Sequence, residues 1–582
     1  RAFSTRYPSI SIKRTGTVPL MQSYVDATVR DLSGVLLLAI GTLVLLLLLT
    51  LGSLRLTGIM LGLGTITILS TMGLAGYGGL IIITSTATIP LIIFTIVLAA
   101  SMHFFVHLLR TYEHEPNVTI LSAVKRAHAA NLKPILFTSL TTIAGLLSLS
   151  LASSPPIRQI GIWSAIGVMI GTYATLVIVP LVSVDFANHS TSPFQTALQR
   201  TLNNHAKKME SGRSASWLSI GLIAMGIYGI ASVTIDDDFV RYLSEETQFR
   251  KDAEYAAKRL SSLNQVDVWL KTDEEAGILR NRSLALISAL DDFLRGHPFV
   301  SNSLSVSDIV SQAAAGLGET QTIAELSDEA IAQIFWAYEL SHTYGQSSTD
   351  IVSADYSAAR TSVLLRDVTA ANIRQLDSDI QNWLSNHSPD FVRGEVTGEA
   401  IPISYLSITN IPFMAYGIGT SLVLTALLLG YYYRNARLSI VVFCATALPV
   451  ICGVGIYSLL VDSIGLAAIV IVAVTIGIVI DDAIHIIFKQ EEGQASLGLD
   501  AAESAAYALH RVGSAIVTTT AVLICGFVVL LFSDFRLNSS FGVCTGIILL
   551  TALIFDLYSL PKLLVWASPD SVVTNPQTDV RR

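Results

Sequence analysis

Residues 34–52 read GVLLLAIGTLVLLLLLTLG, an apolar run without a single charged side chain. A helix needs roughly 20 such residues to cross the hydrocarbon core of a bilayer. The run lacks the period-2 alternation of an outer-membrane strand, so it predicts a helix. The whole chain is 52% hydrophobic and only 14% charged over 582 residues, which excludes a fully soluble protein.

Comparable windows recur along the chain. The sequence predicts eleven of them, near 33–52, 57–78, 86–109, 134–152, 160–183, 216–233, 412–433, 438–461, 464–488, 514–533 and 541–566. The four cysteines, Cys444, Cys452, Cys525 and Cys544, all lie inside these windows. We interpret them as small buried hydrophobes that form neither a disulfide framework nor a metal site.

The loops between the predicted spans differ in charge when they are taken alternately. One set, 53–56, 110–133, 184–215, 434–437, 489–513 and 562–582, carries 16 Lys and Arg residues, whereas the opposite short loops carry only Arg158 and Arg536. Short basic loops stay in the cytoplasm, so the long segment 234–408 is predicted to be outside. Residues 231–400 carry 27 acidic and 13 basic side chains, which argues against nucleic acid as a partner.

The chain contains an internal repeat at an offset of 382 residues. This offset aligns Thr15-Gly16 with Thr397-Gly398, Arg55-Leu56 with Arg437-Leu438, and His103 with His485. Because six spans separate the copies, the repeat is parallel and its axis is normal to the membrane. The segment from Trp217 to Thr397 has no counterpart before Thr15, so we expect an opening helix and most of a first outer domain to be missing from this chain.

These observations predict a domain order. We expect 1–32 to be a remnant of a first extracytoplasmic domain, 33–183 helices 2–6, 184–215 a cytoplasmic linker, 216–233 helix 7, 234–408 an extracytoplasmic α/β domain, 409–566 helices 8–12 and 567–582 a cytoplasmic tail.

The outer segment has the periodicities of a mixed α/β domain. Helices are predicted at Lys251 to Leu263, Leu279 to Arg295 and Ala370 to Leu384, and strands at Val266 to Lys271, Thr361 to Arg366 and Phe391 to Thr397. Two βαβ-like pieces indicate a ferredoxin-like layer, with Thr320 to His342 as a helical insertion.

The ninth window, 464–488, places two acids in the hydrocarbon. Asp481 and Asp482 are adjacent there, and each costs about 2.5–3.5 kcal/mol at a helix centre. His485 lies four and three residues further on, within reach of either acid. Gly477, one turn before Asp481, allows close approach of another helix. Acids in this position need protonation, a bound ion or a polar partner to offset this cost, and we predict a proton relay.

Other polar residues of the second half join this candidate relay. Asp556 lies in an apolar setting in the last window, and the run Thr518-Thr519-Thr520 carries hydroxyls that can donate and accept. We assign Thr518 and Thr519 of this run to the relay. The first half has Ala99 and Ala100 where the second has the acid pair, although it retains His103. His103 and His107 are four residues apart, but no carboxylate or Cys lies near them in the sequence to complete a metal site. We therefore interpret His103 as a polar group in helix packing.

The motifs resemble those of a known family. Gly477-Ile-Val-Ile-Asp481 has the GxxxD form of the resistance-nodulation-division (RND) superfamily, and Asp481-Asp482-Ala-Ile-His485 resembles the DDxxH signature of its MMPL-type, Patched-related exporters. The resemblance implies an RND transporter fold, a polytopic α-helical membrane protein with two pseudo-symmetric six-helix halves, eleven helices of which are present, and a porter-like α/β domain. It also implies that spans two to six correspond to a sterol-sensing-domain-like (SSD) region, and that Asp481 and Asp482 relay protons beside His485. The Ala99-Ala100 pair departs from relatives that carry acids in both halves.

The leading hypothesis is therefore a proton-motive-force-driven exporter of a hydrophobic or amphiphilic substrate, commonly a lipid, in a bacterial inner membrane. The alternative is a non-transporting lipid-sensing scaffold, favoured by the acid-free first half. An enzyme is not expected, because the outer domain offers no nucleophile with a base, and no P-loop is present. We expect membrane lipids, protons and a hydrophobic substrate as partners, no cofactor or metal, and a homo-oligomer as a candidate assembly.

Overall fold

The computed structural model describes residues 11–83, 85–115, 118–183, 193–210, 217–234, 240–261, 264–319, 321–341, 348–461 and 463–568. The described residues divide into two compact units. One unit is drawn from residues 25–235 and 409–582, and the other from 1–24 and 236–408.

The described residues before 235 form helices joined by short connections. These helices are α1 (Thr17–Leu51, with a π-helical turn at Asp31–Val35), α2 (Leu54–Tyr77), α3 (Ile89–His114), α4 (Ile120–Ser148), α5 (Pro155–Ser183), α6 (Pro193–Glu210) and α7 (Trp217–Ser232).

The middle of the chain is an α/β unit. Its elements are α8 (Gln248–Arg259), β1 (Gln265–Thr272), α9 (Asn281–Gly296), β2 (Val300–Leu304), α10 (Val306–Gly316), α11 (Asp328–Leu340), β3 (Ala358–Leu365), α12 (Ala370–His387) and β4 (Val392–Thr397). The strands form one antiparallel sheet in the order β2-β3-β1-β4, with Val268 opposite Thr361 on one side and opposite Val396 on the other. Two interleaved βαβ pieces produce this order.

The last part of the chain is again helical. It contains α13 (Ala400–Tyr432), α14 (Ala436–Ser458), α15 (Leu466–Leu497), α16 (Ala501–Val528), α17 (Arg536–Tyr558) and the short α18 (Leu560–Ala567).

Ten helices among the described residues are long and apolar enough to cross a membrane. The chain is therefore a polytopic helical membrane protein, as predicted. The remaining predicted window, 216–233, contains α7, which has 16 residues and is therefore about 24 Å long, short of a hydrocarbon core of about 30 Å. The first window, 33–52, covers only the apolar part of α1, which starts at Thr17, because hydropathy does not detect its polar first turns.

The repeat extends to local backbone geometry. Gly16 and Gly398, which are 382 residues apart, both have a positive φ (113° and 109°) immediately before a long helix. Ser53 and Asn435, at the same offset, both cap a helix N-terminus by accepting hydrogen bonds from backbone N–H groups. Equivalent positions thus have equivalent structural roles in the two halves.

The α/β unit contains two elements that the sequence did not predict, β2 and α10. Only two residues of β2, Val300 and Ser303, are buried, so its inward face includes a serine and shows no apolar alternation. The predicted insertion is represented by α11, which begins after the capping residue Ser327. The core of the unit lies between the sheet and its helices, with Val268, Leu290 and Leu376 fully buried.

A buried carboxylate lies between α9 and α10. Asp291 is 2% exposed and accepts hydrogen bonds from the hydroxyls of Ser305 and Ser307. Burial raises the pKa of Asp291 above its usual value, and the two hydroxyls only partly offset this. The unfolded chain therefore releases this proton at a lower pH than the folded chain. Ionised Asp291 thus lowers the free energy of unfolding at neutral pH, and this destabilisation disappears on acidification.

We expect Asp291→Asn to raise the thermal midpoint of the full chain in detergent at pH 7, and the difference from wild type to shrink toward pH 4. The amide keeps an acceptor for Ser305 and can donate to Ser303, whose hydroxyl has no other hydrogen-bond partner. Tryptophan fluorescence between pH 4 and 7 measures the midpoints. Asp292→Asn, the exposed neighbour, is the matched control. A pH-independent difference would contradict the assignment.

Candidate functional site

The acid pair lies in the middle of α15, the helix that the ninth window, 464–488, predicted. Asp481 and Asp482 are only 14% and 13% exposed, and His485 one turn later is 2% exposed. The Nε2 atom of His485 is 3.8 Å from a carboxylate oxygen of Asp481, the i,i+4 pairing that the spacing predicted. The two acids and this histidine therefore form one cluster.

His103, from α3 in the first half, completes the cluster. Its Nε2 atom is 3.6 Å from an oxygen of Asp481 and 3.6 Å from an oxygen of Asp482, and its ring is fully buried. The rings of His103 and His485 stack with centroids 3.9 Å apart and planes 9° apart. The interpretation of His103 as a packing group was therefore incomplete, because this ring contacts both acids.

A signal for His103 is present in the sequence. It is the repeat partner of His485 and is retained where Ala99 and Ala100 replace the acids. In a parallel repeat, residues near the axis contact their own counterparts. The offset of 382 residues could therefore have predicted that the two rings contact each other.

Hydroxyl groups from both halves surround the acids. Thr520 on α16 donates to Asp482 at 3.1 Å, and Thr138 on α4 lies next to Asp481. Of the predicted threonines, Thr519 donates to backbone carbonyls of its own helix and Thr518 is buried on the same helix. The hydroxyl that reaches the acid pair is therefore one residue beyond the predicted ones.

Asp556 on α17 is the third acid of the predicted relay. It is 1% exposed, and one of its carboxylate oxygens has no hydrogen-bond partner. It is close enough to interact electrostatically with Asp482. The structure thus brings all three predicted acids into one buried region.

Gly477 brings α15 against α4. The hydroxyl of Thr142 donates to the carbonyl of Gly477 at 2.9 Å. A Cβ atom at Gly477 would lie 2.7 Å from the Thr142 methyl group and 2.8 Å from its Cα atom. Because one of these atoms belongs to the backbone, a larger residue has to push the helices apart.

We expect Gly477→Ala to destabilise the protein by about 1–3 kcal/mol, since it overpacks the contact with Thr142. To measure this, the detergent-solubilised protein is heated and the remaining monodisperse gel-filtration peak is recorded, which gives a thermal midpoint. Gly419→Ala is the control, because no atom lies within 4 Å of a Cβ there. Equal midpoints for the two variants would contradict the close packing.

The cluster can hold and transfer charge between the halves. Two carboxylates and two imidazoles meet where the repeats touch, and the Nε2 atoms of both histidines lack hydrogen-bond partners. A proton that moves onto or off any of these groups changes the attraction between α3 and α15. The arrangement is thus suited to coupling a charge to a movement.

Ten long apolar helices, a parallel repeat and an acid pair buried at the contact between the halves define a polytopic membrane protein of the transporter class. The chain belongs to the MMPL family, whose model matches residues 4–221 and 305–582. The two matched segments cover both repeats, so the resemblance found in the motifs is confirmed. No curated protein matches the chain.

Proposed function

We propose that the protein is a proton-driven exporter of a hydrophobic or amphiphilic substrate of the lipid class, in a bacterial inner membrane. The observation that carries the proposal is the contact of His103 with both Asp481 and Asp482. Membership of the MMPL family supports an RND-type transporter of hydrophobic substrates. The proton as the driving force, the lipid as the substrate and export as the direction of transport are the parts that we propose.

The contact offers a mechanism because its members come from different halves. An ionised acid and a protonated histidine about 4 Å apart attract each other by about 4 kcal/mol at an effective dielectric constant of 20. Loss of one such attraction changes an equilibrium between two arrangements of the halves by about three orders of magnitude. Protonation of Asp481 or Asp482 removes the attraction, so the halves rock against each other.

The membrane potential can supply energy of the required size. One charge that crosses 100 mV gains roughly 2.3 kcal/mol. This is comparable to the attraction that protonation removes. Thr520 and Thr138 hold the two carboxylates from opposite halves, which keeps both acids oriented toward the contact.

We expect Asp481→Asn and Asp482→Asn each to abolish proton uptake driven by a pH gradient, because an amide cannot carry the proton. Proteoliposomes that contain pyranine report uptake, and a fluorescent phosphatidylethanolamine reports lipid transfer in the same vesicles. Glu491→Gln, an exposed acid on the same helix, is the matched control and should behave as wild type. Lipid transfer at the wild-type rate by a variant that carries both Asp481→Asn and Asp482→Asn would overturn the proposal. Lipid binding without gradient-dependent transfer in the wild type would instead indicate the sensing scaffold.

We expect His103→Gln to reduce proton uptake as strongly as loss of an acid, since it removes the charged partner that the first half contributes. His107→Gln, one turn further along α3, should retain uptake. The same pyranine assay measures both variants. If His103→Gln retains full uptake, coupling does not pass through the contact between the halves.

A further inference from the structure

The histidine and carboxylate cluster also has the composition of a metal site. One ring nitrogen from each of His103 and His485 and a carboxylate oxygen of Asp481 all lie within 4.8 Å of one another. Both imidazoles are at least 98% buried, and neither Nε2 atom has a hydrogen-bond partner. Buried polar atoms usually have a hydrogen-bond partner or contact an ion, so two that converge on carboxylates favour a bound cation.

We propose that this cluster binds a divalent transition-metal ion of the zinc type. The expectation of no metal paired His103 with His107, its neighbour along one helix, and did not pair it with His485. The donors that converge come instead from α3 and α15. Neither the binding nor its test depends on proton-driven transport.

The charge of the cluster favours a divalent ion. Asp481 and Asp482 bring two negative charges into an apolar unit, and a divalent ion with two neutral imidazoles balances them. Two imidazoles exclude calcium and magnesium, which take oxygen ligands. Zinc accepts imidazole nitrogen and carboxylate oxygen together and prefers four ligands.

The distances are close to those of a four-ligand site. Ligands about 2.0–2.1 Å from a tetrahedral zinc ion are about 3.3 Å apart. His103 is 3.6 Å from each acid, and His485 is 3.8 Å from Asp481. His103 faces one oxygen of Asp481 and His485 faces the other, so the donors, which lie within 4.8 Å of one another, have to move closer to share one ion. The stacked rings, now 9° from parallel, have to tilt so that their nitrogen lone pairs converge.

The surroundings supply a second ligand shell and an approach. Thr520 donates to one oxygen of Asp482, which leaves the other oxygen, the one that faces His103, to serve as the fourth ligand. Hydrogen bonds of this kind orient ligands and raise metal affinity. The carboxylates, at 13–14% exposed, are the accessible side of the cluster, so the ion enters past them.

An ion bound here joins the two repeats, because His103 belongs to the first and the other three ligands belong to the second. Any movement of α3 relative to α15 then has to break a metal–ligand bond. We therefore infer that zinc fixes one arrangement of the halves.

Cobalt(II) titration of the full-length, metal-free protein in detergent tests the site, because tetrahedral cobalt absorbs visible light far more strongly than octahedral cobalt. We expect a tetrahedral spectrum that zinc displaces at one equivalent. His103→Gln and His485→Gln should each lose it, and Thr520→Val should weaken zinc binding by about tenfold. His107→Gln is the matched control and should bind as wild type.

Two results would overturn the proposal: an octahedral or absent cobalt spectrum in the wild type, or an unchanged spectrum in both histidine variants. X-ray absorption at the zinc edge of the wild type needs no variant, so it decides the matter even if a substituted chain aggregates. Two imidazole nitrogens in the shell support the site, whereas an all-oxygen shell rejects it. Proton uptake is measured separately, so a metal-binding protein without transport and a transporter without metal are distinguishable.

Discussion

Two adjacent carboxylates on an apolar helix are the constraint on which the rest of the helical unit depends. Each costs about 2.5–3.5 kcal/mol in a membrane on its own. The unit meets this cost with partners from other helices: His103 from α3, Thr138 from α4 and Thr520 from α16. The helices around α15 are therefore held in register by polar contacts as well as by packing.

The repeat explains why the partners are where they are. His103 and His485 are equivalent residues, and their stacking places the local axis of the repeat between the two rings. A residue near such an axis meets its own counterpart, so the two copies share one environment. The two copies differ one turn before these histidines, where Ala99 and Ala100 occupy the positions of the acid pair.

Much of this was predictable from the sequence, and the exceptions have physical reasons. Hydropathy located ten spanning helices, and the cost of charge in lipid identified Asp481, Asp482 and Asp556. The choice between Thr519 and Thr520 was not predictable, because adjacent residues on a helix differ by about 100° and only the packing of α16 decides which one faces the acids. β2 was missed because a serine occupies its buried face.

The acid pair is present only in the second half, and this asymmetry is compatible with coupling of protonation to movement of the halves. Attraction across the contact needs opposite charges, one from each half. By the symmetry of the stacked rings, acids in place of Ala99 and Ala100 would approach His485 as Asp481 approaches His103. Four carboxylates would then surround two imidazoles, and repulsion between like charges would oppose the attraction that holds the halves together. In this chain, an acid pair in one half and a histidine in each provide the attraction without that repulsion. With acids in the second repeat alone, the chain has a single site that both halves share.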